Sequence, residues 1–71
     1  MPEMHFVDSS NIEAAGYETD SQELYIRFLK SGETYVYYNV EEWVFQELLQ
    51  ADSKGQYLNA NVKDRYEYAK L

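Results

Sequence analysis

The 71-residue sequence contains no cysteine, one histidine, one proline and three glycines. Without cysteine, neither a disulfide nor a thiolate metal site can staple the chain. The lone His5 has no partner with metal-ligand or triad spacing. No run of about 18 apolar residues is present, so no segment reads as a membrane-spanning helix. The start, MPEMHFVDSS, lacks a basic flank ahead of a long apolar stretch and does not read as a signal peptide. A free-standing cytoplasmic protein is the expectation. Basic residues are also scarce, six against 13 acidic ones, for a net charge of −7.

What the chain has in quantity is aromatic surface: eight tyrosines, three phenylalanines and one tryptophan. A domain this small seldom gains more than about 3–5 kcal/mol from its core. Aromatic side chains burying roughly 150–250 Å² each are therefore its main resource. The charge is unevenly spread. Residues 1–52 hold 11 acids against Arg27 and Lys30, whereas 53–71 hold Lys54, Lys63, Arg65 and Lys70 against Asp64 and Glu67. The acidic excess serves solubility at least, and it disfavours a nucleic-acid partner.

Residues 1–9 show no periodicity and read as a mobile leader, with a single domain over 10–71. SNIEAAGYE (10–18) alternates weakly, with Ile12, Ala14 and Gly16 on one side and Glu13, Ala15 and Tyr17 on the other. Gly16 marks a bulge or a close backbone approach. ELYIRFL (23–29) is the clearest strand, with Leu24, Ile26 and Phe28 sharing a face. KSGE offers Ser31-Gly32 as a two-residue hairpin turn, which leads into TYVYYNV (34–40). In that register Phe28 faces Tyr35, Ile26 faces Tyr37 and Tyr25 faces Tyr38. Tyr35 and Tyr37 thus join the apolar face, and Tyr25, Arg27, Val36 and Tyr38 share the other.

NVEEWVFQELLQAD (39–52) is helical, with Asn39 as the expected N-cap and Glu42 closing a capping box. Val44, Phe45, Leu48, Leu49 and Ala51 form its apolar stripe, with Trp43 at the edge. Ser53 caps a short second helix over Gly55–Val62, weakened by Gly55, and RYEYAKL ends the chain extended. The expected fold is α+β: a three-stranded antiparallel β-meander packed on one α-helix, followed by a short second helix and an extended C-terminal tail.

Several pieces together resemble the KTSC domain, a family named for the C-terminal extension of some lysyl-tRNA synthetases and found also as small stand-alone proteins. They are SSNI (9–12), GY (16–17), F-x-x-S-G (28–32), Tyr35-x-Tyr37, NV (39–40), LL (48–49), SKGQYLN (53–59) and RYEY (65–68). The resemblance covers Ser10 to Leu71. It implies a small α+β domain, with RNA binding suggested by the synthetase context.

Two surfaces suit a binding function. Tyr25, Arg27 and Tyr38 on the outer sheet face form a candidate stacking platform for single-stranded nucleic acid. Lys54, Asn59, Asn61, Lys63 and Arg65 make the one locally basic, amide-rich stretch. Ser53-Lys54-Gly55 lacks the full phosphate-loop pattern. The alternative is an acidic protein-interaction domain, an inhibitor or decoy for a basic, nucleic-acid-associated protein, acting through Trp43, Glu41, Glu42 and Glu47. No catalytic set, metal ligand set or cofactor motif can be named, so the expected function is a non-enzymatic binding module without cofactor, metal or membrane partner.

Overall fold

A computed structural model describes residues 1–71 as seven elements: β1 (His5–Phe6), β2 (Ile12–Glu18), β3 (Glu23–Phe28), β4 (Thr34–Tyr37), α1 (Glu42–Gln50), α2 (Lys54–Asn61) and β5 (Tyr68–Lys70). The strands form one antiparallel sheet in the order β1-β2-β3-β4-β5. The α+β class and the β2-β3-β4 meander are as expected. The sheet, however, has five strands, because both terminal segments join it. His5 and Phe6 pair with Ala15 and Ala14, and Tyr68–Lys70 pairs with Tyr37–Tyr35. The extended course of residues 65–71 is as expected, but the pairing of neither segment shows in the sequence, because two or three residues are too short to display alternation and their partners are non-local.

The β3–β4 hairpin differs from the expected two-residue turn. Phe28 N–H donates to the Glu33 carbonyl and Gly32 N–H to the Phe28 carbonyl, both at 2.9 Å, which makes Leu29–Gly32 a four-residue loop. Gly32 supplies the left-handed conformation, φ 71°, that closes it. Ile26 consequently faces Tyr35 and Leu24 faces Tyr37, a shift of two residues from the expected pairing. A two-residue shift preserves the faces. Tyr35 and Tyr37 therefore do lie with Leu24, Ile26 and Phe28 on the helix side.

In β2 the phase does change. The β2–β3 register shifts between Ile12 and Ala14, so a bulge at Glu13 places Ile12 with Ala15 and Tyr17 on the helix side. Ala14 and Gly16 fall on the outer face, opposite Arg27 and Tyr25. Gly16 is the close approach rather than the bulge. A Cβ there would fall 2.7 Å from the Glu3 carbonyl oxygen and 2.8 Å from the Met4 sulfur.

The core collects Ile12, Ala15, Leu24, Ile26 and Tyr37 from the sheet with Val40, Val44, Phe45, Leu48, Leu58 and Val62. Tyr17 stacks on Phe45 at 5.5 Å between ring centroids and donates its hydroxyl to the Val40 carbonyl. That bond and the Val40 N–H to the Gln22 carbonyl (2.9 Å) fix Val40 in the core. Asn39 adopts φ 58° to allow this, so it turns the chain instead of capping the helix, and Glu41 occupies the N-cap without a side-chain bond. Ser53 does cap α2, its Oγ accepting from Gln56 N–H at 3.3 Å.

A two-part groove at the hairpin end of the sheet

Helix α1 packs toward β2 through Phe45 and Tyr17, and the hairpin end of β3, β4 and β5 is left partly uncovered. Two adjoining grooves open there. One, of about 310 Å³, is lined by Phe28, Ser31, Glu33, Tyr35, Tyr37, Lys63, Asp64 and Tyr68. The other, of about 340 Å³, is lined by Asn11, Ile12, Phe28, Lys30, Ser31, Gly55, Leu58 and Asn59. Phe28 and Ser31 belong to both. Each groove lies at the small end of the range for ligand sites, roughly 300–1,000 Å³.

The first groove is aromatic because alternation along β4 and β5 puts Tyr35, Tyr37 and Tyr68 on one face. Tyr68 lies 5.7 Å from both Tyr35 and Tyr37, and Phe28 meets Tyr35 edge-on at 5.4 Å. Tyr37 is buried and its phenol is held above the ordinary range by burial and by its tyrosine neighbours. Tyr68 is 56% exposed, so it offers a ring face to a ligand. On the rim, Glu33 is neutralised by Lys70 Nζ at 3.2 Å.

The second groove is polar. Asn11 presses against α2 where glycine leaves room: a Cβ at Gly55 would meet Asn11 Nδ2 at 2.7 Å. The amides of Asn11 and Asn59 hold no partner within the chain, whereas Asn61 donates its amide to the Tyr57 carbonyl at 3.2 Å. Ser31 Oγ accepts from Glu33 N–H at 3.1 Å and donates to no group within the chain, which leaves its hydrogen to be donated.

The residues singled out in the sequence are distributed differently. Of the basic stretch, Asn59 and Lys63 line the grooves. Lys54 Nζ donates to the Ala51 carbonyl at 3.1 Å, at the end of α1, and Asn61 is tied to α2. Arg65 is exposed and outside both grooves. Tyr25, Arg27 and Tyr38 do share the outer face, yet that face is partly taken. Arg27 Nε sits 3.4 Å from Glu13 Oε2, close enough for charge pairing but outside hydrogen-bond geometry, and its guanidinium lies 5.8 Å from the Phe6 ring. Tyr25 donates to Glu23 Oε1 at 3.0 Å, and burial, then this bond, raises its pKa. The leader lies over Gly16, which pairs with Tyr25.

On α1, Trp43 is 58% exposed and Glu42 is free at the surface. Glu41 accepts the Tyr66 hydroxyl at 2.9 Å and Glu47 the Tyr57 hydroxyl at 2.7 Å.

Sequence reasoning missed Asn11, Phe28, Lys30, Ser31, Tyr35, Gly55 and Tyr68 as groove residues. A signal was present. SSNI, F-x-x-S-G, Tyr35-x-Tyr37, SKGQYLN and RYEY, scattered over 60 residues, each send at least one side chain into these grooves.

The chain is similar over most of its length to several known proteins. A protein of Tsukamurella paurometabola is 47% identical over 68 residues, 96% of this chain and all of that protein. The lysine–tRNA ligases of a Nostoc species and of Trichormus variabilis are 39% and 38% identical over 64 residues, and the chain spans only 11% of either enzyme's length. A crystal structure of a KTSC domain protein from Yersinia pestis superposes with a TM-score of 0.94 at 32% identity, covering all of this chain and 99% of the other. The model of the KTSC domain matches residues 8–66. With the fold, the motif pieces and the family model in agreement, this chain belongs to the KTSC domain family.

Proposed function

We propose that this domain is a non-enzymatic, cytoplasmic binding module that holds single-stranded RNA in the groove at the hairpin end of the sheet. The observation that carries the reading is the joining of an aromatic surface, the exposed Tyr68 beside the half-buried Tyr35 and Phe28, to a groove with two unengaged amides. Unpaired bases stack on aromatic rings, worth about 1–3 kcal/mol per base, and are read at their edges by groups such as amides. The cations fit the same placement. Arg27 and Lys70 face carboxylates and Lys54 serves a helix end, while Lys30 and Lys63, both without a carboxylate partner, line the grooves. The alignment with a segment of two lysine–tRNA ligases supports an RNA context.

The net charge of −7 sets the expected strength. Few phosphates are neutralised, so binding is weak and its salt dependence shallow, with one or two counterions released. Amide NMR titration with a decameric single-stranded RNA at low and moderate salt tests this. Shifts confined to the groove residues, fading modestly with salt, are expected. A silent groove at high RNA concentration sinks the reading.

A second reading, an acidic surface docking a basic protein, is favoured by one observation: Trp43 stands 58% exposed beside Glu42 on α1. Exposed tryptophan is a frequent anchor at interfaces.

A further inference from the structure

Resting on the RNA reading, we infer that the groove seats two consecutive nucleotides: one base in the aromatic part, the next in the amide part, and their linking phosphate over Ser31.

Three features define this division. The two grooves have similar volumes, about 310 and 340 Å³, and differ in chemistry. The aromatic part offers the half-exposed ring of Tyr68 beside Tyr35, which is a stacking surface with little base-edge discrimination. The other part offers the amides of Asn11 and Asn59, each a paired donor and acceptor of the kind that reads a base edge.

Their boundary suits a phosphate. Ser31 borders both parts, and its hydroxyl, which accepts from Glu33 N–H, donates to no group within the chain. Gly32 beside it has no atom within 4 Å of where a Cβ would stand, so the approach is open. Lys30 lines the amide part and has no carboxylate partner. Asp64 on the aromatic rim opposes the phosphate, which limits affinity and makes the pairing of two seats, rather than charge, the source of binding.

The test uses the whole chain with three probes: AMP, the dinucleotide ApA and a decameric oligoadenylate, followed by amide NMR. ApA is expected to shift Asn11, Ser31, Asn59, Tyr35 and Tyr68 together and to bind at least about tenfold more tightly than AMP. Tyr68→Ala should weaken AMP and ApA alike, by about tenfold. Asn59→Ala should weaken ApA more than AMP. Equal affinity for AMP and ApA, or ApA shifts confined to one part of the groove, overturns the two-nucleotide seat. So does binding of the decamer without binding of ApA, although the RNA reading then stands. A decamer that leaves both parts unshifted removes the RNA reading and this inference with it.

Discussion

Tyr57 on α2 donates its hydroxyl to Glu47 Oε1 on α1 at 2.7 Å, and this bond stitches together two short helices. The Tyr66 hydroxyl does the same to Glu41 from beyond α2, at 2.9 Å. Two of the carboxylates that give α1 its acidic appearance are thus acceptors in internal hydrogen bonds. The tyrosines in turn acquire raised pKa values. Burial is the leading cause for Tyr57 and Tyr66, and the hydrogen bond to the accepting carboxylate is the next.

Alkaline pH should destabilise the protein. Burial leads the upward shift of Tyr17, Tyr25, Tyr37, Tyr57 and Tyr66, and Tyr57 is pushed to about 12. The unfolded chain releases these protons near pH 10, before the folded state does. Between about pH 10 and 12 the folded state therefore binds more protons, and stability falls as pH rises. Below pH 10 these groups contribute no slope. Circular dichroism melts should give a Tm independent of tyrosine ionisation up to about pH 10 and falling beyond it, with tyrosinate absorbance rising as the fold is lost. A Tm still flat at pH 11 would contradict the sign.

Charge reversal separates the two surfaces only at Glu42. Glu41→Lys and Glu47→Lys each break a tyrosine hydrogen bond, costing about 1 kcal/mol of stability. Glu42 has no such bond, and losing an acid in the first turn costs about 0.3–1 kcal/mol. Glu42→Lys should keep the RNA-induced shifts in the groove, with affinity equal or slightly higher. With a lysine-rich peptide as probe, the acidic-docking reading instead requires that Glu42→Lys and Trp43→Ala abolish binding.

The placement of Tyr35 and Tyr37 was legible because alternation and a hairpin were enough to fix the face, and a two-residue error in register left that face unchanged. The phase of β2 was not legible, since nothing in NIEAAG announces the extra residue at Glu13. Spacing reveals Val44, Phe45, Leu48 and Leu49 of the α1 stripe and the Ser53 cap of α2, whereas Ala51 falls at the C-cap, outside the helix. The Asn39 cap failed because burying Val40 and its carbonyl bond to Tyr17 prevailed over local cap preference. The groove is hidden from the sequence for a related reason. Alternation assigns Phe28 and Tyr35 to the helix side, but it does not say how far the helices extend over that side. That depends on β5, whose pairing spans some 30 residues.

Gly16→Ala should dislodge the leader. The new Cβ would collide with the Glu3 carbonyl oxygen at 2.7 Å and the Met4 sulfur at 2.8 Å. The sulfur sits on a flexible side chain, but the backbone oxygen cannot yield without moving the segment. A stability loss of about 1–3 kcal/mol is expected. Faster amide exchange at the His5 and Phe6 end of the sheet should accompany it. Tyr25 should become more accessible, and groove binding should be unaffected.

The contact between Gly55 and Asn11 allows an argument from opposing effects. In the first half of α2, alanine in place of glycine favours the helix by about 1 kcal/mol. Against this, the added Cβ would lie 2.7 Å from Asn11 Nδ2 and 3.4 Å from Asn11 Cβ, so the amide end of the exposed Asn11 must swing aside. Gly55→Ala alone should therefore be near neutral, because displacing that amide offsets part of the propensity gain. In an Asn11→Ala background the obstructing amide is gone, and the same substitution should stabilise by up to about 1 kcal/mol. A double-mutant cycle read by urea denaturation measures the difference directly, and additivity within about 0.5 kcal/mol would show that the two residues do not oppose each other. The binding readout is independent of that sign. Either substitution reshapes the amide part of the groove and should weaken ApA more than AMP.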